Sequence, residues 1–312
     1  MLKVLVTCPP MLGMIDCFRP IFEKAGVELS TPDVVQTLSE ERLKELVPLH
    51  DGWIIGDDPA TSAVFSLGKA GKLKAAVKWG VGVDNVDFDA CKELNIPIVN
   101  TPNVFGGEVA DIAVGYVIGL ARETFEVDRA VRLGKWIKPS GISLAGKTVA
   151  LIGFGDIGKH TAKRLLAAEM QVIAYDPYAG LNSELSKVEI ELWPNRIEET
   201  DFIVITCALT SSSLQMLNSN IFSKVKRGVR VVNVARGGVI DEKALEEALK
   251  SGQVYSAALD VFENEPLPLN SYLQSHPHCV FGSHNASNTV DAVKKTSYAA
   301  IKKLFGFLGV DK

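Results

Sequence analysis

The sequence predicts an α/β protein of two doubly wound domains, and three observations carry that prediction. Short β-rich runs alternate with amphipathic stretches through most of the chain. One such alternation gives way to a long helical pattern and a second begins beyond it. Within the second, a glycine-rich turn joins a strand-like run directly to a helix-like one. At roughly 150 residues per domain, 312 residues also make two domains the expectation.

The first alternation is carried by Val4-Leu5-Val6, Trp53-Ile54-Ile55, Ala75-Ala76-Val77 and Ile98-Val99, each bounded by polar or helical segments. Thr101-Pro102-Asn103 forms a turn. From Val109 to Arg132 apolar residues then recur three or four apart without proline, which predicts one long helix at the domain crossing. After Pro139-Ser140-Gly141, Thr148 to Ile152 is continuous and β-branched, as in a strand buried on both faces of a parallel sheet. Val172-Ile173-Ala174, Phe202 to Ile205, Val229 to Val234, Ala257-Ala258-Leu259 and Val280-Phe281 read the same way, so six strands are expected in this sheet. The segment Asp241 to Gly252 has an acidic start and a glycine past its end, the signals of a helix. Asp291 to Leu308 is a further amphipathic helix whose lysines form a solvated face.

Composition excludes several functions. With 47% hydrophobic and 22% charged residues the chain is neither disordered nor fibrous. The formal net charge of −4 and the lack of a like-charge block make nucleic acid and anionic membrane unexpected partners. Five cysteines without a CxxC pair fit neither a disulfide framework nor a zinc cluster, so a reducing, cytoplasmic setting and no metal are expected. The apolar opening Met1 to Thr7 is too short for a signal-peptide core, and no apolar run reaches the ~18 residues of a membrane span.

Gly153-Phe154-Gly155-Asp156-Ile157-Gly158 follows the strand Thr148 to Ile152 and opens a helix, the context a GxGxxG phosphate turn requires. Gly153 makes the tight turn, Gly155 lets the backbone approach a pyrophosphate, and Gly158 lets helix pack on strand. The helix N-terminus supplies N–H groups and positive potential. Asp176 ends the next strand 18 residues beyond Gly158, near the ~20 expected of the residue that accepts ribose hydroxyls. A 2′-phosphate would meet carboxylate repulsion there, and Pro177-Tyr178-Ala179-Gly180 offers no basic residue, so NAD is favoured over NADP.

Dehydrogenation of an alcohol carbon needs a base for the hydroxyl proton and a cation for the substrate's anionic end. Arg236 follows the strand Val229 to Val234, at the edge where doubly wound folds place ligands, and its fork suits a carboxylate. His284 directly follows Val280-Phe281, and Glu265 follows the neighbouring strand, so a Glu265–His284 hydrogen bond is sterically plausible.

These residues carry a resemblance. Gly80-Val81-Gly82-Val83-Asp84-Asn85-Val86-Asp87, Gly153 to Gly158, Asn233 to Glu242, and Asp260 to Pro266 followed by His284 match, in order, the motifs of the D-isomer-specific 2-hydroxyacid dehydrogenase family. That resemblance implies an NAD-dependent oxidoreductase interconverting a D-2-hydroxy acid and its 2-oxo acid, with phosphoglycerate oxidation expected first, glyoxylate or hydroxypyruvate reduction as the alternative, and an NAD-sensing corepressor-like role after these. The resemblance implies a flavodoxin-like substrate domain, 1–102 plus 285–312, with an inserted NAD-binding Rossmann domain, 103–284. It implies Arg236, Glu265 and His284 as the catalytic trio, with His284 the proton donor in ketone reduction. Cys207, Val234 and Asp260 would join the glycine turn and Asp176 around the cofactor, with Cys207 acting through its backbone and its thiol inert. Gly80, Val81 and Gly82 would offer backbone N–H groups to a small 2-oxo or 2-hydroxy acid. Lys78, where many relatives carry arginine, either contacts that substrate or flanks a strand. Two departures stand out: the Thr206-Cys207-Ala208-Leu209-Thr210 loop lacks the family's usual proline, and Ser283 replaces the proline common before the histidine. A homodimer is expected through the Val109 to Arg132 helix, on its face Ile112-Ala113, Tyr116-Val117, Gly119-Leu120. No regulatory domain is expected beyond Lys312.

Overall fold

The computed structural model describes residues 1–179 and 185–310; Gly180, read above beside Asp176, and residues 311–312 of the expected C-terminal segment lie outside the described residues. The chain divides into two compact units, Met1–Val104 with Asn288–Lys312, and Phe105–Ser287.

The first unit runs β1 (Lys3–Val6), α1 (Pro9–Leu12), α2 (Arg19–Lys24), β2 (Glu28–Ser30), α3 (Glu40–Leu46), β3 (Gly52–Ile55), α4 (Ser62–Ala70), β4 (Ala75–Lys78), α5 (Phe88–Glu93) and β5 (Ile98–Asn100), and is completed by the C-terminal helix Val290–Leu308. Its strands are all parallel in the order β2-β1-β3-β4-β5, the flavodoxin-like order. Ser39, Thr61 and Asp87 start α3, α4 and α5 by accepting a backbone N–H three residues on, which satisfies donors that a helix start leaves open. Trp53, Phe65, Leu43 and Val64 pack one side of the sheet, while the C-terminal helix lies against β3 and β4. The edge strand β2 was not anticipated, because Glu28-Leu29-Ser30 is short and carries no apolar run.

The second unit runs α6 (Gly106–Arg122), α7 (Thr124–Arg132), β6 (Thr148–Ile152), α8 (Asp156–Ala167), β7 (Gln171–Tyr175), β8 (Glu189–Ile190), β9 (Phe202–Ile205), α9 (Ser219–Phe222), β10 (Val229–Asn233), α10 (Glu242–Lys250), β11 (Val254–Leu259), α11 (Tyr272–Ser275) and β12 (Cys279–Phe281). Its seven parallel strands lie in the order β12-β11-β10-β9-β6-β7-β8. The order reverses between β6 and β9, and in such sheets ligands bind beyond the carboxyl ends at that switch. One strand exceeds the sequence expectation: β8 is a two-residue edge strand with nothing in its composition to reveal it.

The helix expected from Val109 to Arg132 is two helices. Glu123 breaks it at φ 57, ψ 26, its N–H bonding to Gly119 O. Phe125 then folds back over Gly119, where a Cβ would lie 2.1 Å from the ring. The apolar spacing continues across this break, so periodicity could not register it. Of the face assigned to a dimer contact, Ala113, Val117, Gly119 and Leu120 are buried and Tyr116 is half-buried, as α6 packs on α8, β10 and β11 of its own unit. Among the described residues no helix is long and apolar enough to cross a membrane.

Candidate active site

The glycine turn is built by close approach. Gly153 sits at φ 95, its N–H donates to Tyr175 O at 2.9 Å, and a Cβ there would lie 2.6 Å from Cys207 Cα. A Cβ on Gly158 would lie 2.2 Å from Gly153 O, so the third glycine is what lets α8 seat on the turn. Gly155 differs: a Cβ there would meet nothing within 4 Å. Its missing side chain leaves open space before the first turn of α8, where Asp156 and Ile157 begin the helix. Open space facing free helical N–H groups suits a pyrophosphate.

Asp176 follows β7 beside that turn. One carboxylate oxygen accepts the Phe154 N–H and the other the Tyr178 N–H, each at 2.8 Å. The acid is thereby fixed to the glycine loop, and each oxygen keeps lone-pair capacity for a ribose hydroxyl. These residues fit a dinucleotide with an unmodified adenosine ribose. Across the switch, Thr206 donates to Gly153 O at 2.9 Å, and Val234, buried, donates its N–H to Ile205 O at 3.3 Å. Burial, with Asp176 adding to it, pushes the Cys207 thiol up to about 11.

The neighbouring strands β10, β11 and β12 deliver the remaining groups. Asn233, buried at the end of β10, accepts the Ala235 N–H at 3.0 Å and donates to Arg236 O at 2.9 Å. Arg236 Nη1 donates to Ala235 O at 2.8 Å. After β11, Glu265 accepts the Phe262 N–H at 3.0 Å through Oε1 and faces His284 Nδ1 at 2.7 Å through Oε2. Thus the structure brings Glu265 and His284 together as the sequence suggested, and an imidazole held at Nδ1 by a carboxylate has one tautomer and one orientation.

Asp260 has a role that sequence reasoning missed. It is 2% exposed, and its carboxylate accepts the N–H groups of Asn285 at 3.2 Å and Ala286 at 2.8 Å, while its carbonyl takes the His284 N–H at 2.7 Å. Three consecutive amides after β12 are therefore tied to one residue. A Cβ on Gly282 would lie 1.9 Å from Asp260 Oδ1, so that position admits no side chain. Burial, reinforced by Asp260, also pushes the Tyr116 hydroxyl up to about 12, which places this α6 residue by the same acid. Asn233 carried a usable signal, since a buried asparagine ending a strand must find partners; Tyr116 carried none.

In the first unit, Lys78 ends β4 and is 2% exposed, its ammonium bonded to Gly56 O and to Asp57 at 2.9 Å. Asn85 donates to Asp58 O at 2.7 Å, and Thr7 donates to the buried Asp58 carboxylate, whose pKa burial raises. Gly80 adopts φ 116, and its N–H is taken by Thr101 Oγ1 at 2.7 Å. Of the three amides assigned to substrate, only those of Val81 and Gly82 make no hydrogen bond among the described residues.

The profile of the D-isomer specific 2-hydroxyacid dehydrogenase NAD binding domain matches residues 114–286. This chain belongs to the D-isomer-specific 2-hydroxyacid dehydrogenases. The family is one of NAD-dependent oxidoreductases, and NAD is the cofactor of the matched domain. The chain is 37% identical to the hydroxypyruvate reductase of Thermotoga maritima over 278 residues, 88% of this chain and 90% of that protein. It is 36% identical to D-3-phosphoglycerate dehydrogenase 2, chloroplastic, of Arabidopsis thaliana over 293 residues, 91% of this chain but 47% of the relative, so it spans about half that length. The apo-structure of D-lactate dehydrogenase from Escherichia coli superposes with a TM-score of 0.84 at 28% identity, covering 100% of this chain and 98% of that one.

The raised Cys207 pKa predicts a thiol that stays protonated at neutral pH. Peptide mapping after iodoacetamide treatment at pH 7 should show exposed Cys17 alkylated well ahead of Cys207, with Cys207 labelling rising only as pH approaches about 11.

Proposed function

We propose that this dehydrogenase interconverts a small, unphosphorylated D-2-hydroxy acid and its 2-oxo acid, of the hydroxypyruvate or glyoxylate class. The observation that carries the reaction is the 2.7 Å Glu265–His284 pair at the carboxyl edge, one strand over from the Arg236 turn. NADH, when bound, supplies the hydride that reduces the substrate's C2 carbon. His284 delivers a proton to the oxygen of that carbon and recovers one from solvent, while Glu265 stabilises the imidazolium in its reactive orientation. Arg236 holds the carboxylate and offsets charge gathering on the oxygen as it becomes a hydroxyl. Oxidation of the hydroxy acid reverses each transfer.

Within the first unit, Lys78 and the backbone of Val81 and Gly82 are proposed for the substrate, Gly80 shaping their turn. The choice of an unphosphorylated substrate draws on Lys78 taken as a substrate contact: its charge is already matched by Asp57 and lies beside Asp58, a poor setting for a phosphate dianion. A second reading, oxidation of 3-phosphoglycerate, draws on the 36% identity to the Arabidopsis thaliana phosphoglycerate dehydrogenase. A homodimer joined near α6 and α7 is part of this reading, because Ile118, Val131, Leu133 and Trp136 expose large apolar surface, Trp136 by 81%. A cytoplasmic location is proposed with it.

Turnover of NADH with glyoxylate, hydroxypyruvate, pyruvate and 3-phosphohydroxypyruvate tests the reading: kcat/KM should be highest for one of the first two, and no turnover with any would favour an NAD-sensing binding role. On the best substrate, His284→Ala should lose a factor of ~10²–10⁴ in kcat with NADH affinity unchanged, since the ring acts on substrate oxygen.

Asp176→Ala should weaken NAD binding by about 1.5–3 kcal/mol, the range of a hydrogen bond to a charged group, and narrow the preference over NADP. Fluorescence titration of both cofactors measures this, and an unchanged preference removes Asp176 from the role.

Light scattering at micromolar concentration should give twice the chain mass of 33.7 kDa. A stable mass of one chain would mean that these apolar side chains are not an interface.

A further inference from the structure

The edge of the second unit's sheet opposite the catalytic loops holds another constellation. His278 immediately precedes β12, Tyr255 lies near the start of β11, Glu123 caps α6 and Glu126 lies in the first turn of α7. One oxygen from each glutamate and one ring nitrogen of His278 all lie within 4.8 Å of one another. His278 Nδ1 is 3.2 Å from Glu126 Oε2 and 3.8 Å from Glu123 Oε2. These separations bracket the ~3.4 Å expected between neighbouring ligands of a tetrahedral ion bound at about 2.1 Å.

A second observation raises this above a chance grouping of acids. Glu123 is 6% exposed, and its Oε1, the oxygen beside the one nearest His278, is buried without a hydrogen-bond partner among the described residues, as is His278 Nδ1. A buried carboxylate oxygen and a buried imidazole nitrogen that both lack hydrogen bonds are costly unless something else satisfies them. The Tyr255 ring helps hold the histidine in place, stacking on His278 at 4.7 Å between centroids. Arg230, with its guanidinium 4.8 Å from the centroid of the Tyr255 ring, and Arg129, which donates to Pro277 O at 2.8 Å, offset the charge of the two carboxylates, so the ligand atoms rather than net charge would hold an ion.

We infer that Glu123, Glu126 and His278 form a binding site for a divalent transition ion of the zinc class, with water completing the shell, separate from the dehydrogenase centre. One nitrogen and two oxygens match the borderline preference of such ions, whereas calcium and magnesium favour shells made of oxygen alone. The ion joins the α6–α7 break to the start of β12, a structural rather than a chemical duty.

Full-length protein, stripped with a chelator and dialysed, is titrated with Zn²⁺ by calorimetry and with Co²⁺ by visible absorption. One equivalent should bind, with d–d bands of a four- or five-coordinate cobalt site and a rise in the unfolding midpoint. Glu126→Gln and His278→Gln should each weaken binding at least tenfold while NADH turnover with the best 2-oxo acid, which reports folding, is retained. His160→Ala, which removes a histidine that lies 3.8 Å from Asp156 and outside this cluster, should bind as the parent does. The proposal is overturned by absence of Zn²⁺ binding, by binding that survives His278→Gln, by loss in His160→Ala instead, or by preference for Ca²⁺ over Zn²⁺.

Discussion

The buried carboxylate of Asp260 is the constraint on which the edge that carries Glu265 and His284 depends. A carboxylate taken out of water is costly unless hydrogen bonds replace its hydration, and here two consecutive amides, of Asn285 and Ala286, do so. The same bonds hold the loop after β12 so firmly that His284 keeps a left-handed backbone, φ 56, which a non-glycine residue adopts only when its surroundings impose it. Gly282 is required for the same reason, since any side chain there would occupy the carboxylate's place. The imidazole then meets Glu265, itself steadied by the Phe262 amide, so both side chains are held in place by the fold itself.

The cofactor side follows a parallel logic at the switch point. Parallel strands β6 and β9 end together, and the chain can turn back over them only where Gly153 passes Cys207 and Gly158 passes Gly153. Asp176 does double duty, accepting an amide of the glycine loop while presenting its carboxylate beside it. In the first unit the corresponding edge is a polar network in which Lys78, Asp57, Asp58, Thr7 and Asn85 satisfy one another. A matched lysine of this kind holds the loop after β3 in place.

Much of this was legible because its signals are local. The strand Thr148–Ile152 and the glycine turn after it are contiguous, so burial on both faces, the tight turn and the helix start could be read from one short stretch. The positions of Arg236, Glu265 and His284 after successive strands were likewise legible, because a parallel α/β sheet puts the ends of all its strands on one edge. Where the signal was weak or absent the reading failed. The strands β2 and β8 are edge pieces without apolar runs, and the break at Glu123 interrupts a helix whose apolar spacing does not change.

By itself, then, the sequence determined the α/β class, the glycine turn between strand and helix with Asp176 after the next strand, and which residues stand at the strand ends, since each depends on neighbours a few positions apart. Tertiary structure alone decided the rest. Asp260 meets Asn285 and Ala286 across 25 and 26 residues of sequence, and Glu123 meets His278 across 155, distances over which no periodicity or spacing rule operates. Such pairs come together only because strands and helices pack in one order, and burial then demands that their polar atoms find partners.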